Sequence, residues 1–268
     1  MFWKAKGGCV RIGNTDMDYV SFGKGTDTLV MIPGLGDGLS TVKGMAPVLA
    51  MTYRAYAKKY TVYMFSRKND MPEGYSTRDM AKDQAEALKT LGLSSVDVLG
   101  VSQGGMIAQY LAIDYPDLVR KLVLAVTLSK QNETVQRVVR DWIAMAEHGN
   151  YKALMIDTAE KSYSEKFLKK YRMLYPLLGM VGRPKKVSRF LIEATSCIGH
   201  DAYAELYKIV CPTLVVGGGR DKIVGAAASA ELAEQITDSE LFIYKGLGHA
   251  AYKEAKDFKA RILGFSSK

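Results

Sequence analysis

Short apolar runs alternate with segments of helical period along most of this chain. Cys9 to Ile12 and Asp16 to Phe22 read as two opening strands, and the turn dipeptide Gly13-Asn14 between them predicts a hairpin. Thr28 to Ile32 is a third apolar run, ended by Pro33 and a glycine-rich stretch. Tyr60 to Phe65 is a fourth, and a helical segment over Ala46 to Lys58 between the two makes a βαβ unit. Ser76 to Leu91 places Met80, Ala81, Gln84, Ala87, Leu88 and Leu91 near one face at steps of three and four, with Gly92 as its stop. Val96 to Val101 predicts a buried strand that runs straight into a helix over Gln103 to Tyr115, halted by Pro116, and Leu122 to Val126 is the next strand.

From Gln131 to about Tyr207 the alternation stops. Four helices are predicted there, over Glu133 to Glu147, Tyr151 to Ser162, Glu165 to Leu178 and Lys185 to Ser196, with breaks at Gly149, Ser164 and Gly179 to Pro184. Alternation resumes with the strand Thr213 to Val216, a helix over Ala226 to Gln235, the strand Leu241 to Tyr244 and a closing helix from Tyr252 to Phe265. This pattern predicts an α/β protein with a mostly parallel sheet covered by helices on both faces. One core is formed by residues 1–130 and 208–268, and residues 131–207 are a helical insertion.

Composition narrows the class. With 268 residues, 48% hydrophobic, 24% charged and only 7 Pro, the chain suits a globular domain with a sizeable core. The net charge of +9 is spread out, although 13 basic and 9 acidic side chains fall between Gln131 and Lys208. Dense Lys/Arg runs with interleaved aromatics are missing, so no nucleic-acid partner is expected. No stretch approaches 18 apolar residues and the N-terminal sequence lacks a signal-peptide pattern; neither a membrane span nor export by that route is expected. Cys9, Cys197 and Cys211 are an odd, sparse set that fits reduced thiols in a cytoplasmic protein. Three His and no HExxH or CxxC argue against a metal site.

The strand Val96 to Val101 ends in Gly100-Val101-Ser102-Gln103-Gly104, a Gly-x-Ser-x-Gly string in strand–turn–helix context. A sharp turn there holds the serine strained and exposed above the sheet, and only small residues two positions either side avoid a clash. A serine hydroxyl needs a base, and the base needs an orienting group. His148 and His200 lie in the helical insertion, His148 beside Gly149 at a predicted helix end. His249, in Lys245-Gly246-Leu247-Gly248-His249, follows the last strand and can reach the sheet's C-terminal edge. Asp221 leaves another strand end, in Val216-Gly217-Gly218-Gly219-Arg220-Asp221; its alternative role is a helix cap or surface turn. The Gly34-x-Gly36-x-Gly38 loop also follows a strand, but Leu39 stands where a dinucleotide fingerprint needs its last glycine, so no nicotinamide or flavin cofactor is expected.

These segments together resemble the α/β-hydrolase superfamily over nearly the whole chain. LGVSQGGMIAQYLAIDYPDLVRKLVL is similar to that family's nucleophile strand, helix and following strand, and CPTLVVGGGRD and GLGHA to its acid and histidine segments. The resemblance implies the α/β-hydrolase fold, with an eight-stranded, mostly parallel sheet and a helical cap at the insertion. It also implies a catalytic triad of Ser102, Asp221 and His249 in the family's chain order. It implies an oxyanion hole from the backbone N–H groups of Leu35 and Gln103, with Pro33 in place of the commoner histidine of that loop. The expected activity is hydrolysis of a small to medium carboxylic ester through an acyl-enzyme, with a small-molecule ester or related acyl substrate and no cofactor. The same triad could serve acyl transfer, aminopeptidase, thioesterase, lactonase or carbon–carbon hydrolase chemistry, and a ligand-sensing protein with little turnover is the alternative from another class. Apolar residues of the insertion such as Trp142, Met145, Met155, Phe167, Tyr171 and Met180 could roof a pocket or simply dock the insertion on the core.

Overall fold

The computed structural model describes residues 3–178, 184 and 186–268. The opening hairpin forms as its turn dipeptide requires: β1 (Lys6–Ile12) and β2 (Thr15–Gly23) pair antiparallel with Ile12 opposite Thr15, and Gly13 takes a φ of +56° in the turn. β3 (Asp27–Ile32) lies parallel to β4 (Tyr60–Lys68), and β4 pairs antiparallel with β2 on its other side. β5 (Val96–Val101), β6 (Val119–Ala125), β7 (Thr213–Gly218) and β8 (Ser239–Tyr244) extend the sheet in parallel from β3. The eight strands run in the order β1-β2-β4-β3-β5-β6-β7-β8. The chain therefore leaves β3 toward one edge and later resumes at β5 toward the other. Such a reversal opens a crevice at the C-terminal ends of the two strands.

The helices are α1 (Ala46–Thr52), α2 (Thr77–Thr90), α3 (Gln103–Asp114), then α4 (Glu133–Glu147), α5 (Tyr151–Ser162), α6 (Glu165–Tyr171), α7 (Tyr175–Leu178) and α8 (Val187–Ile198) between β6 and β7, and finally α9 (Ala228–Glu234), α10 (Ala251–Glu254) and α11 (Phe258–Ser266). α2 starts with a reciprocal capping box between Ser76 and Asp79. Successive strand residues point to opposite faces, so Val98 packs with Leu88, Ile107 and Leu111 under α2 and α3, whereas Leu99 packs with Ala50, Phe258 and Ile262 under α1 and α11. Both faces of β5 are thereby buried, which explains its unbroken apolar sequence. A third cluster joins α4, α5 and α8 to Leu35, Met106, Ile223 and Val224, at the crevice end of the sheet.

Three predicted helices are shorter or broken. The helix expected over Ala46 to Lys58 ends at Thr52, because Lys24 N–H takes the Ala57 carbonyl and the chain turns to bury Tyr56 and Tyr60 before β4. The helix expected over Glu165 to Leu178 is interrupted by a tighter turn at Arg172–Leu174. Pro176 has no N–H to continue an α-helical ladder, and Arg172 is held there by both Glu160 and Glu165. The closing helix is split at residues 255–257, where an extended Ala255 re-aims Phe258, Ile262 and Phe265 into the core. The predicted break at Gly179 to Pro184, Met180 within it and the predicted helix start at Lys185 lie outside the described residues, Pro184 excepted.

Leu99→Ala is expected to lower unfolding stability by about 2–5 kcal/mol, since the side chain is buried in the face under α1 and α11. Leu241→Ala, at an exposed position on the edge strand, should stay within about 0.5 kcal/mol. Urea titration of both variants checks the pair.

Candidate active site

Ser102 sits between β5 and α3 with φ 55° and ψ −121°, a backbone conformation that costs a non-glycine residue on the order of 1–3 kcal/mol. Packing enforces it. A Cβ added at Gly104 would lie 2.0 Å from the Ile32 carbonyl oxygen, so α3 can press against the end of β3 only with glycine there. The elbow is further fixed by Ser102 N–H donating to the Ala125 carbonyl at 2.9 Å and by Thr127 Oγ1 donating to the Ser102 carbonyl at 2.8 Å. Thr127 follows Val126, whose φ of +47° is itself unusual for a β-branched residue.

The expected partners converge on this serine. His249 Nε2 lies 2.9 Å from Ser102 Oγ, and His249 Nδ1 lies 2.8 Å from Asp221 Oδ2. An ionised carboxylate only accepts, so the Nδ1 proton faces Asp221 and Nε2 is left to accept from the serine hydroxyl. Asp221 is buried, and its other oxygen accepts N–H groups from Ile223 at 2.8 Å and Val224 at 3.0 Å. The turn-capping role considered for Asp221 is therefore present alongside its contact with histidine. Each residue comes from the C-terminal end of a different strand: Ser102 after β5, Asp221 after β7, His249 after β8.

The loop after β3 lies against the elbow, since a Cβ on Gly34 would be 3.2 Å from Ser102 Cβ. Leu35 N–H and Gln103 N–H donate to no described residue, which leaves both free for an incoming oxygen. His148 and His200 stand elsewhere. His148 is exposed, with Nδ1 2.7 Å from the Ala144 carbonyl oxygen, and His200 is buried against Thr77 with burial pushing its pKa down to about 3.

Behind the two loops lies a buried polar cluster that the sequence reading missed. Arg67, Asp37, Arg189 and Glu193 are all buried. Asp37 Oδ2 accepts the Arg67 backbone N–H at 2.9 Å and Arg189 Nη2 at 2.5 Å, and the Asp37 carbonyl accepts from Arg189 Nη1. Glu193 Oε1 is 3.0 Å from Arg189 Nη1. Burial pushes the Glu193 carboxyl up, to about 8, with Asp37 adding to the rise and the two guanidinium groups opposing it. For Arg189, burial lowers the pKa, but Asp37 and Glu193 more than offset it and the net direction is up. An arginine directly after the apolar part of the β4 run, and an Arg/Glu pair four residues apart on the inward face of α8, were the available signs.

Among the described residues, no helix is long and apolar enough to cross a membrane, and no three His, Cys, Asp or Glu side chains are grouped to hold a metal ion. Residues 27–256 match the family described as alpha/beta hydrolase fold. The chain belongs to that family. It is 27% identical to a 2-hydroxy-6-oxononadienedioate/2-hydroxy-6-oxononatrienedioate hydrolase of Pseudomonas putida, over 96% of this chain and 94% of the relative. It is 26% identical to the serine hydrolase BPHL of Mus musculus, over 87% of this chain and 77% of the relative. In fold it is similar to MGS-M2, an alpha/beta hydrolase enzyme from a Medee basin deep-sea metagenome library, with a TM-score of 0.83 at 22% identity, covering 97% of this chain and 98% of the other.

Because the native fold favours a neutral Glu193, that group's contribution to stability is fully present below its ordinary pKa of 4.5 and is lost as pH rises through about 8. Melting temperatures of the parent and of Glu193→Gln, measured from pH 4.5 to 8.5, should diverge, the parent losing ground to the variant as pH rises. A constant difference across that range would count against a raised Glu193.

Proposed function

We propose that the protein is a serine hydrolase that cleaves small to medium carboxylic esters with uncharged acyl groups. The observation that carries this reading is the continuous Asp221–His249–Ser102 hydrogen-bond chain ending at a half-buried serine in a strained turn. In this scheme Ser102 Oγ bonds to the acyl carbon while His249 Nε2 takes its proton. The tetrahedral oxyanion is held by Leu35 and Gln103 N–H, the ester C–O bond breaks, and His249 returns the proton to the leaving alkoxide. Water then attacks the acyl-serine with His249 as base and releases the acid. Asp221 keeps the imidazole in the required tautomer and stabilises its cationic form.

The uncharged acyl preference rests on the cluster at the crevice, where Leu35 and Val224 from the loops after β3 and β7 and Met106 from the first turn of α3 meet Trp142, Leu154 and Phe190 from the helices between β6 and β7. We assign those helices the role of a cap. The nearby cations Arg67 and Arg189 are buried and face Asp37 and Glu193, so they are committed within the protein. In this respect the reading departs from the Pseudomonas putida relative, whose name specifies dicarboxylate substrates.

Intact mass after fluorophosphonate treatment tests the nucleophile: one adduct on the parent, none on Ser102→Ala and a strongly slowed reaction on His249→Ala are expected. Asp221→Asn should lower kcat by roughly 10⁴-fold through the wrong histidine tautomer. A folded parent that forms no adduct would overturn the reading. For the acyl group, kcat/KM on p-nitrophenyl butyrate should exceed that on mono-p-nitrophenyl succinate by at least about 10²-fold, because a carboxylate left unpaired in an apolar site is disfavoured. Panels of thioester, lactone, amide and vinylogous diketone substrates then rank the bond types against one another.

A further inference from the structure

The two oxyanion donors belong to different elements, Leu35 to the loop after β3 and Gln103 to the start of α3, yet one buried network ties both from behind. On the loop side, Arg189 Nη2 donates to the Asp37 carboxylate at 2.5 Å and to the Arg67 carbonyl at 3.0 Å, while Nη1 donates to the Asp37 carbonyl. On the elbow side, the Gln103 side chain accepts from Arg67 Nη2 at 2.7 Å and donates to the Glu193 carbonyl at 2.6 Å and to Ser196 Oγ at 3.1 Å. Arg67 Nη2 also donates to the Pro33 carbonyl at 2.6 Å, at the root of the loop. α8 comes close enough for this because Gly38 has no side chain; a Cβ there would lie 2.9 Å from Phe190 Cα.

We propose that Arg189 is a positioning residue for the oxyanion hole: its guanidinium fork fixes the turn at Asp37 and so sets Leu35 N–H relative to Gln103 N–H. The assignment rests on the serine-hydrolase reading above. Its physical basis is that oxyanion donors act only if they already point at the place where charge will develop. A loop residue displaced by about 1 Å can lower rates by about 10²-fold without loss of substrate affinity. A lysine could satisfy one of the three oxygens that Arg189 reaches, but not the planar arrangement of all three. Nor does Arg189 stand in for substrate recognition, since Asp37, the Arg67 carbonyl and Glu193 already surround its nitrogens.

The test uses two variants of the full chain. Arg189→Lys retains the buried positive charge. Arg189→Met/Glu193→Gln removes the guanidinium together with the Glu193 carboxyl group beside it and leaves Arg67 with Asp37. Both are assayed on p-nitrophenyl butyrate, for inhibition by an aliphatic trifluoromethyl ketone, and for thermal unfolding. Trifluoromethyl ketones add to the serine and place an oxyanion in the hole, a readout that a purely structural tie between α8 and the core would not move. The expected result is a kcat lower by about 10-fold in Arg189→Lys and about 10²-fold in the double variant, KM within about 3-fold, and a ketone inhibition constant that weakens by the same factor as kcat. Folded variants with kcat and ketone inhibition within about 3-fold of the parent would overturn the assignment, as would losses confined to KM. A parent that neither labels at Ser102 nor hydrolyses the ester would instead sink the serine-hydrolase reading, and the Arg189 assignment with it. An active parent with unaffected variants removes the Arg189 assignment alone.

Discussion

The approach of α3 to the end of β3 is the constraint on which the site depends. At Gly104 the helix backbone meets the Ile32 carbonyl with no room for a methyl group, and this contact lets the chain reverse direction at Ser102 within a single residue. The strain at Ser102 is offset by neighbours that are themselves fully buried: both faces of β5 are covered, α3 is buried over nearly its whole length, and β6 supplies the acceptor for the Ser102 N–H. The sheet order then does the rest. Because β3 and β5 are neighbours, the loop that follows β3 and the elbow that follows β5 open side by side into one crevice.

Much of this was legible in the sequence because each feature leaves a local mark. An apolar run that fits strand length, glycines around Ser102, and carboxylate and imidazole residues placed just beyond later strands are all visible without knowing where the strands lie in space. The eight strands, their mainly parallel arrangement and the residues that gather at the serine follow from such marks. Helix lengths were less legible because tertiary contacts decide them. Nothing in the residues 53–58 forbids a helix; it ends because Lys24 claims the Ala57 carbonyl and two tyrosines must turn inward.

The buried network was hidden for a related reason. Asp37, Arg67 and the Arg189/Glu193 pair of α8 lie 30 to 156 positions apart along the chain, and each alone reads as a surface charge. Their meaning comes from being desolvated together, where each charge is tolerable only because of the others. Gln103 illustrates the overlap of the two kinds of information. Its backbone position follows from the motif around Ser102, whereas its side chain bridges Arg67 to α8, a role set entirely by long-range packing.

The chain order of the three site residues has a consequence for how the protein comes into being. Ser102 and His249 are 147 positions apart, and the histidine loop follows the last strand to join the sheet. During N-to-C synthesis the elbow can be enclosed by β3, β5, β6 and α3 well before His249 is made. A nascent chain or one cut short before β8 thus carries the serine in its strained turn with no imidazole beside it. Docking of the edge strand β8 completes the Asp221–His249–Ser102 hydrogen-bond chain, so assembly of the candidate site is tied to near-completion of the sheet.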